Sequence, residues 1–219
     1  MKKQGIYICI EGTEGVGKTT QIKKLCAYLK KKNKSVVKTR DIGSPHLPMA
    51  VKLRKIMLDN KYNSQLTKTS REMISHGMRS IHLEKLVIPK LKDSDFVVQD
   101  RGFLSALAYG EACGNDIEFL KNLTNYSTKK SEINSDYGDL YDYLIVLKGD
   151  FKKGLSRATS SKKEFKTGDA MESLGNSFLD KVNQNFELYK KDFKNVFEIN
   201  IDGKSKEEVF TEIKKIINI

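Results

Sequence analysis

Short apolar runs alternate with segments of helical periodicity along the whole chain. Residues 6–10 are apolar and mostly β-branched, which is typical of a buried strand. Behind them, Ile22, Leu25, Cys26 and Leu29 recur at helical spacing and predict an amphipathic helix. Four further strands are predicted, at residues 35–39, 95–100, 143–147 and 196–201.

The segments between these strands mostly favour helices. Periodicity predicts helices at residues 50–57, 69–91, 103–112, 178–189 and 209–217, and after the fourth strand up to Arg157. The segment over 69–91 is expected to be one long helix with Pro89 near its end. Ser205 and Glu208 have the spacing of a capping box. The polar, turn-rich residues 114–142 leave their structure undetermined.

This order of strands and helices predicts an α/β fold. Strands that alternate with helices form a parallel sheet, and helices then cover both of its faces. No internal repeat and no linker-like stretch interrupts the pattern. We therefore expect one domain of three layers over residues 1–219, built on a five-stranded parallel sheet.

The composition favours a globular protein without a specific nucleic-acid partner. The chain has 219 residues, of which 38% are hydrophobic, and a formal net charge of +12. The excess charge is mostly lysine spread along helices and loops, whereas nucleic-acid-binding proteins concentrate positive charge in a stripe or patch. Dispersed charge mainly affects solubility and non-specific attraction, so no specific nucleic-acid binding is expected.

The cysteines and histidines do not indicate a metal centre. Cys9, Cys26 and Cys113 are odd in number and lack metal-ligand spacing, and the first two fall on predicted core positions. The sequence shows neither a signal-like N-terminus nor an apolar run that could span a bilayer. We expect a cytoplasmic protein without membrane association, in the host cytoplasm if the gene is viral.

The strongest chemical signal lies between the first predicted strand and the first predicted helix. The pattern G-x-x-x-x-G-K-[ST], followed by Thr20, is formed by Gly12, Thr13, Glu14, Gly15, Val16, Gly17, Lys18 and Thr19. Glycines let backbone N–H groups turn toward a nucleotide's phosphates. Lys18 supplies positive charge near the β- and γ-phosphates, and the Thr19 hydroxyl can bind Mg²⁺. A nucleoside triphosphate site is predicted here.

Further candidates follow predicted strands at their carboxyl ends, where α/β sheets bind ligands. Asp100 ends the third strand and can hold the Mg²⁺ shell. Arg101 comes directly after it and can bind a phosphate through two hydrogen bonds. Arg40 and Asp41 follow the second strand, and Arg54 is expected near the front of the site.

A polar, basic stretch over residues 159–168 follows the fourth strand and contains Lys162, Lys163 and Lys166. Such a stretch is either a solvated loop or a mobile lid over the nucleotides. Its place in the chain favours a lid, approximately over residues 157–172.

In their order, these motifs resemble the thymidylate kinase family of nucleoside monophosphate kinases. The resemblance covers nearly the whole chain, and the family's loop has an acidic residue where Glu14 stands. The other matching segments are Thr39-Arg40-Asp41 with Gly43, residues 54–58, Arg79 with His82, Ile88, Pro89 and Leu91, Asp100-Arg101 with Ser105, Ala108 and Tyr109, and Asp169, Met171, Glu172, Gly175, Phe178 and Val182.

The resemblance implies a P-loop kinase that uses Mg·ATP to phosphorylate a deoxynucleoside 5′-monophosphate, typically dTMP. It implies that the substrate-binding residues are Asp41, Arg54, Ser75, Arg79, Arg101, Ser105 and Tyr109. Arg54 and Arg101 would contact the acceptor's phosphate, and Arg79 its base. Tyr109 either lies under the sugar or only packs, and Glu14 would organise the acceptor. Family members are typically homodimers, so a homodimer is expected.

The resemblance also implies where the remaining catalytic groups lie. Thr19 and Asp100 would bind Mg²⁺. Members with an acidic residue but no arginine in the loop usually take a catalytic cation from the lid. In this chain that cation is expected to be Arg157, Lys162, Lys163 or Lys166, with no order among them.

The chain departs from the family pattern mainly at the base pocket. Ser75 stands where the family has a stacking aromatic, and Gly110 where many members have a glutamine on the pyrimidine edge. Ile42 replaces a proline, Gly102 a tyrosine and Ala170 a lid arginine. The losses at Ser75 and Gly110 suggest a roomier pocket that accepts 5-substituted or otherwise altered pyrimidines besides dTMP. His76 either replaces the stacking ring or is an ordinary hydrogen-bonded helix histidine.

Three other functions stay open at this point. The acceptor could be another deoxynucleoside monophosphate or a nucleoside, although the arginines favour an acceptor that already carries a phosphate. The protein could be a P-loop switch or binding ATPase, although the sequence has no Asn-Lys-x-Asp segment for reading guanine. It could also be an inactive relative that keeps the fold, against which Lys18, Thr19, Asp100 and Arg101 argue.

Overall fold

The computed structural model describes residues 5–129, 131–149 and 174–219. Its strands are β1 Ile6–Glu11, β2 Val36–Arg40, β3 Phe96–Asp100, β4 Tyr143–Lys148 and β5 Val196–Asn200. They form one parallel sheet in the order β2-β3-β1-β4-β5. The predicted α/β fold with a five-stranded parallel sheet is therefore confirmed, and each strand lies within about one residue of its expected bounds.

Helices cover both faces of this sheet. Those in the described ranges are α1 Lys18–Lys31, α2 Pro48–Leu58, α3 Lys68–His82, α4 Ile88–Asp93, α5 Phe103–Ala112, α6 Ile117–Lys129, α7 Gly175–Tyr189 and α8 Lys206–Ile217. The predicted capping box is confirmed, because the Ser205 side chain and the Glu208 side chain each bond the other's backbone N–H at the start of α8. The helix expected up to Arg157 lies outside the described residues.

The alternation of side chains along the strands divides the core into two layers. The first layer packs β-strand residues against α5 and α7, and its strand members are Tyr7, Cys9, Val97, Leu144 and Val146. The second packs against α1 and α8, and its strand members are Ile8, Ile10, Phe96, Val98, Ile145, Leu147 and Ile199. Because both faces are covered, the carboxyl edge of the sheet remains as the place for a ligand site.

The predicted single helix over residues 69–91 is divided. α3 ends at His82, a π-helical turn spans Leu83–Val87, and α4 begins at Ile88. Pro89 lies in the first turn of α4. Inside a continuous α-helix its ring would collide with the carbonyl four residues earlier, and a local change of helical geometry ahead of it avoids that collision.

Helix α6 was not predicted, because its buried face is partly polar. Thr124, Ser127 and Thr128 occupy buried positions where helical periodicity expects apolar residues. Each hydroxyl donates to the backbone carbonyl four residues earlier, to Leu120, Leu123 and Thr124 respectively. These bonds satisfy the hydroxyl groups inside the core, so the helix packs on the core with a face that is only partly apolar.

The described ranges contain no helix of the length and apolar character needed to cross a membrane. Cys9 and Cys26 are buried, as their places on the predicted strand and helix suggested.

Candidate active site

The phosphate-binding loop joins β1 to α1. Gly12 has a φ of +131°, and a Cβ atom at this position would lie 2.4 Å from the Leu147 carbonyl oxygen, so only glycine fits. Gly17 has a φ of +89° and precedes α1, whose N-terminus has no side-chain cap. Thr20 and Gln21 donate their N–H groups to the Gly17 carbonyl oxygen, which leaves the first two N–H groups of α1 for an anion, in the arrangement that P-loops use for phosphate.

Lys18 is buried at the base of this loop. Its Nζ atom donates to the carbonyl oxygens of Gly12 at 3.0 Å and Thr13 at 2.6 Å. Burial, together with the positive charge of Arg101, lowers the pKa of Lys18 to about 8. Lys18 is thus held in the loop by backbone carbonyl oxygens, while Asp100, Glu14 and Glu11 partly offset the lowering of its pKa. A bound phosphate would add negative charge directly beside the ammonium.

Thr19 and Asp100 meet at the carboxyl edge of the sheet. β1 pairs with β3, and the Thr19 hydroxyl donates to Asp100 Oδ2 at 3.3 Å. A hydroxyl and a carboxylate fit Mg²⁺, which usually takes one or two protein oxygens and completes its shell with phosphates and water. No group of three or more His, Cys, Asp or Glu residues in the described ranges could hold a metal by itself.

Arg101 follows β3 and points back to the loop. Its Nη1 donates to the Gly12 carbonyl oxygen at 2.9 Å and its Nη2 to Glu14 Oε1 at 2.7 Å. The other Glu14 oxygen accepts a 2.5 Å hydrogen bond from the Tyr109 hydroxyl. The guanidinium also lies over the Tyr109 ring, 5.0 Å from its centroid. Glu14, Arg101 and Tyr109 therefore form one connected cluster.

Glu11 organises the start of α5 and was missed by the sequence reasoning. It is fully buried at the end of β1. Its carboxylate accepts hydrogen bonds from the backbone N–H groups of Gly102 at 2.7 Å and Ser105 at 3.0 Å, and from the Ser105 hydroxyl at 2.5 Å. Ser105 also accepts from Arg101 at 3.2 Å. An acid directly before the glycine loop was the available signal, but its partners lie far along the chain.

A cleft opens beside this cluster and collects the predicted acceptor residues. It is lined by Glu14, Asp41, Arg54, Ser75, Arg79, Arg101, Ser105 and Tyr109, together with residues that were not predicted. Arg54 packs against Gly43 and donates to the Ile42 carbonyl oxygen at 3.4 Å. The three arginines predicted from the sequence therefore line one cleft beside the glycine loop, together with Arg71, which was not predicted.

Arg79 is buried between two carboxylates. Its Nε donates to Asp41 Oδ2 at 2.8 Å and its Nη1 to Glu72 Oε1 at 3.2 Å. Asp41 Oδ1 is buried without a hydrogen-bond partner among the described residues. Glu72 was not singled out from the sequence. It lies two helical turns before Arg79, so the two side chains share one face of α3, and only the structure shows that this face borders the cleft.

Comparison with known proteins assigns the family. The family model described as thymidylate kinase matches residues 10–213. The chain belongs to the thymidylate kinase family. It is 34% identical to a thymidylate kinase of Prochlorococcus marinus (strain MIT 9515) over 197 residues, 87% of each chain.

Other thymidylate kinases match over almost the full length. That of Finegoldia magna is 30% identical over 213 residues, and that of Thermosipho africanus is 32% identical over 214 residues, with 97% of each chain covered in both cases. Membership of the thymidylate kinase family makes the chain a nucleoside monophosphate kinase, a phosphotransferase. The P-loop switch and the inactive relative are not favoured by these matches.

Two departures from the thymidylate kinase pattern are filled by other side chains. A Cβ atom at Gly102 would lie 2.2 Å from the Tyr141 hydroxyl oxygen, which also accepts a 3.1 Å hydrogen bond from the Phe103 N–H. A Cβ atom at Gly110 would lie 2.8 Å from Leu120 methyl groups and 3.2 Å from Glu72 Oε2. The part of the roomier-pocket hypothesis that rested on Gly110 is therefore wrong, because no open space remains there.

The departure at Ser75 and the possible replacement of the stacking ring by His76 have different outcomes. Ser75 lines the cleft, and its hydroxyl contacts Met57 Sδ at 3.0 Å. The proposed widening at Ser75 stays a prediction. His76 is buried, with Nδ1 3.0 Å from Glu72 Oε1 and Nε2 3.1 Å from the Thr124 hydroxyl. It is thus the hydrogen-bonded helix histidine of the second interpretation and not a stacking ring.

A second cleft lies on the other side of the glycine loop. It is lined by Gly15, Val16, Gly17, Thr20 and Gln21 and by residues of the β5–α8 turn, among them Asp202, Gly203 and Lys204. Gln21 donates through Nε2 to the Lys206 carbonyl oxygen at 3.0 Å and so ties α1 to that turn. The sequence reasoning assigned no ligand-binding part to this turn.

The predicted lid residues Arg157, Lys162, Lys163, Lys166 and Ala170 lie outside the described residues.

Proposed function

We propose that this protein transfers the γ-phosphoryl group of Mg·ATP to the 5′-phosphate of dTMP, giving ADP and dTDP. The observation that carries the proposal is the convergence of Arg54, Arg79 and Arg101 on one cleft beside the phosphate-binding loop. A nucleoside acceptor would bring no phosphate to this cleft, so the three arginines favour an acceptor that already carries one. The names of the matched relatives favour dTMP over other acceptors.

The donor's phosphates are proposed to bind the N–H groups between Gly12 and Thr20 and the Lys18 ammonium. Thr19 and Asp100 would hold Mg²⁺, which when bound neutralises part of the charge on the β- and γ-phosphates. The second cleft would take the nucleoside of ATP. This cleft is lined by Gly15, Gly17 and the β5–α8 turn, so it lies on the side of the loop away from the acceptor cleft.

The acceptor's phosphate is proposed to lie between Arg54 and Arg101, with its base near Arg79. An acceptor phosphate oxygen then forms the new bond to the γ-phosphorus as the bond to the ADP oxygen breaks. Two anionic phosphates approach each other in this step, so cations around both are the main requirement for catalysis. Glu14 would fix Arg101 and Tyr109 relative to the loop, as their hydrogen bonds indicate.

Three further parts of the proposal come from the sequence and the family. A cation from Arg157, Lys162, Lys163 or Lys166 would close over the transferring group as part of a lid. The chain would work as one domain over residues 1–219 in the cytoplasm, the host's cytoplasm if the gene is viral. It would bind small nucleotides and no specific nucleic acid or membrane.

We also propose a homodimer that forms through the outer face of α3. Met73 is 55% exposed on this helix, and Ile56 of α2 and Tyr126 of α6 are 43% and 67% exposed on its two neighbours. Gly77, one turn after Met73, has nothing within 4 Å of a Cβ position, so another helix could approach closely. Sedimentation equilibrium should show a dimer that Gly77→Arg disrupts and Leu188→Arg on α7 does not.

A coupled assay of ADP release with the full-length protein tests the proposed function. With Mg·ATP fixed, we expect dTMP to give the highest kcat/KM among deoxynucleoside monophosphates, and thymidine to be a poor acceptor. ATP hydrolysis without an acceptor should be slow. Hydrolysis that no monophosphate stimulates would instead indicate a nucleotide-driven switch.

A further inference from the structure

The base end of the acceptor cleft carries a buried carboxylate beside Arg79. Glu72 lies two helical turns before Arg79 on α3 and is 8% exposed. Its Oε1 atom accepts from Arg79 Nη1 at 3.2 Å and contacts His76 Nδ1 at 3.0 Å. These two contacts fix the orientation of the carboxylate, so the position of its second oxygen is fixed as well.

The second oxygen, Oε2, has no donor among the described residues. It lies toward α5, 3.2 Å from the place of a Cβ atom on Gly110, and Glu72 lines the cleft. Burial opposes ionisation of this carboxyl, but the hydrogen bond with His76 and the charge of Arg79 outweigh it and lower the pKa of Glu72. Oε2 is therefore an acceptor that cannot donate.

Arg79 has donor capacity left next to this acceptor. Its Nε and Nη1 are used by Asp41 and Glu72, whereas Nη2 has no partner in the described part of the chain. Two side chains of the cleft wall that contact each other, Arg79 and Glu72, thus offer one donor and one acceptor that the described residues leave unused. Such a pair can read two neighbouring polar atoms on the edge of a base.

We propose that Glu72 determines base specificity by accepting the N3–H of thymine at Oε2 while Arg79 donates to the adjacent O4. This inference rests on the proposed function. Cytosine presents the opposite polarity at the same two positions, with an amine at position 4 and a lone pair at N3. In this pose cytosine would set its amine against the Arg79 donors and its lone pair against the carboxylate. The pair therefore selects the thymine edge over the cytosine edge.

Replacing Glu72 by glutamine tests the assignment with little change of shape. The amide oxygen is expected to face Arg79 and His76, which leaves the NH₂ group at the place of Oε2. That group repels the N3–H of thymine and can donate to N3 of cytosine. In Glu72→Gln the ratio of kcat/KM for dTMP to that for dCMP should fall by about tenfold or more, because one buried hydrogen bond is replaced by a repulsive contact.

Asp41→Asn is the matched control, because Asp41 also pairs with Arg79 but through Nε. It should lower activity without changing the dTMP-to-dCMP ratio by more than about twofold, within the error of additive effects. If Asp41→Asn shifts the ratio and Glu72→Gln does not, the assignment to Glu72 is overturned. Circular dichroism and ATP affinity establish that both variants are folded.

A second measurement needs no variant. The wild-type protein should use N3-methylthymidine 5′-monophosphate with a kcat/KM about tenfold or more below that for dTMP, because the analogue lacks the N3–H. Equal use of the two acceptors would overturn the inference while leaving the kinase function intact. Absence of dTMP turnover in the wild type would instead refute the proposed function itself.

Discussion

Arg101 and Glu14 form a salt bridge across the mouth of the phosphate-binding loop, with Nη2 2.7 Å from Oε1. The arginine follows β3 and the glutamate belongs to the loop after β1, so this contact joins the donor side of the site to the acceptor side. Glu14 accepts a hydrogen bond from only one nitrogen of the Arg101 guanidinium, Nη2. An acceptor phosphate can bind the remaining N–H groups or replace the glutamate, since both make the same type of charged hydrogen bond.

Removing this guanidinium should chiefly damage use of the acceptor. For Arg101→Ala we expect kcat/KM for dTMP to fall at least about 100- to 1000-fold, the loss typical of removing one hydrogen-bond donor from a group that gains charge in the transition state. The affinity for ATP should change little, because the glycine loop and Lys18 bind the donor. Steady-state kinetics with dTMP varied and calorimetric titration of ATP measure the two effects.

Lys92→Ala is the control for Arg101→Ala, because it removes one positive charge from a salt bridge on the surface. Its kinetics should match the wild type. If Arg101→Ala weakened ATP binding as strongly as it lowered kcat/KM for dTMP, the arginine would belong to the donor site.

Lys18 should make ATP binding depend on pH. Its pKa is lowered to about 8 by burial and by Arg101, so above that pH the unliganded protein increasingly holds a neutral lysine. Bound phosphates favour the charged form, and binding at higher pH must therefore take up a proton. The affinity should fall with a slope approaching about tenfold per pH unit well above pH 8.

Calorimetric titrations at about pH 8.5 in buffers of different ionisation enthalpy measure this proton directly. Lys18→Ala should abolish turnover while preserving the fold, and it should remove the proton uptake from any residual ATP binding. Proton uptake of equal size in Lys18→Ala would show that another group titrates.

Local patterns predicted the strands and the glycine loop, because the short apolar runs and the spacing of Gly12, Gly17 and Lys18 are signals within a few residues. The contacts that support the site join residues that are far apart in the sequence. Glu11 reaches the N–H groups of Gly102 and Ser105, and Tyr141 fills the space beside Gly102, across tens of residues in the chain. A single sequence carries no direct signal of such contacts, so these residues came only from the structure.

Gly110 shows how such distant contacts can mislead a prediction from sequence. The sequence suggested an empty space beside Gly110, but Leu120 and Glu72 fill that space. Gly110→Gln should therefore destabilise the protein by about 1–3 kcal/mol, because crowding in a packed core outweighs the gain in helix propensity. Urea unfolding measures the loss. In a Leu120→Ala background the same substitution should cost less, since Leu120 supplies the nearest atoms. Equal costs in both backgrounds would place the conflict elsewhere, for example at Glu72.

His82 should make the folded state sensitive to mild acid. Its ring is buried under the β2 end of the sheet, and its Nε2 lies 2.7 Å from the Thr39 hydroxyl. Burial lowers the pKa of His82 to about 4; Asp41 opposes this shift, whereas His46 and Arg79 add to it. In the unfolded chain the same group titrates near its ordinary value of about 6.5.

Below about pH 6.5 the unfolded chain therefore binds a proton at His82 that the folded protein does not bind. The free energy of unfolding falls as a result, and it continues to fall down to about pH 4, where the folded protein takes up the proton as well. Between about pH 7.5 and 5 the contribution is about 2 kcal/mol. His82→Gln cannot take up this proton, so its free energy of unfolding should fall less over that range than that of the wild type. Urea unfolding at both pH values gives the difference, from which carboxylate effects common to both proteins cancel. Parallel losses in the two proteins would mean that His82 is protonated in the folded state as easily as in the unfolded chain.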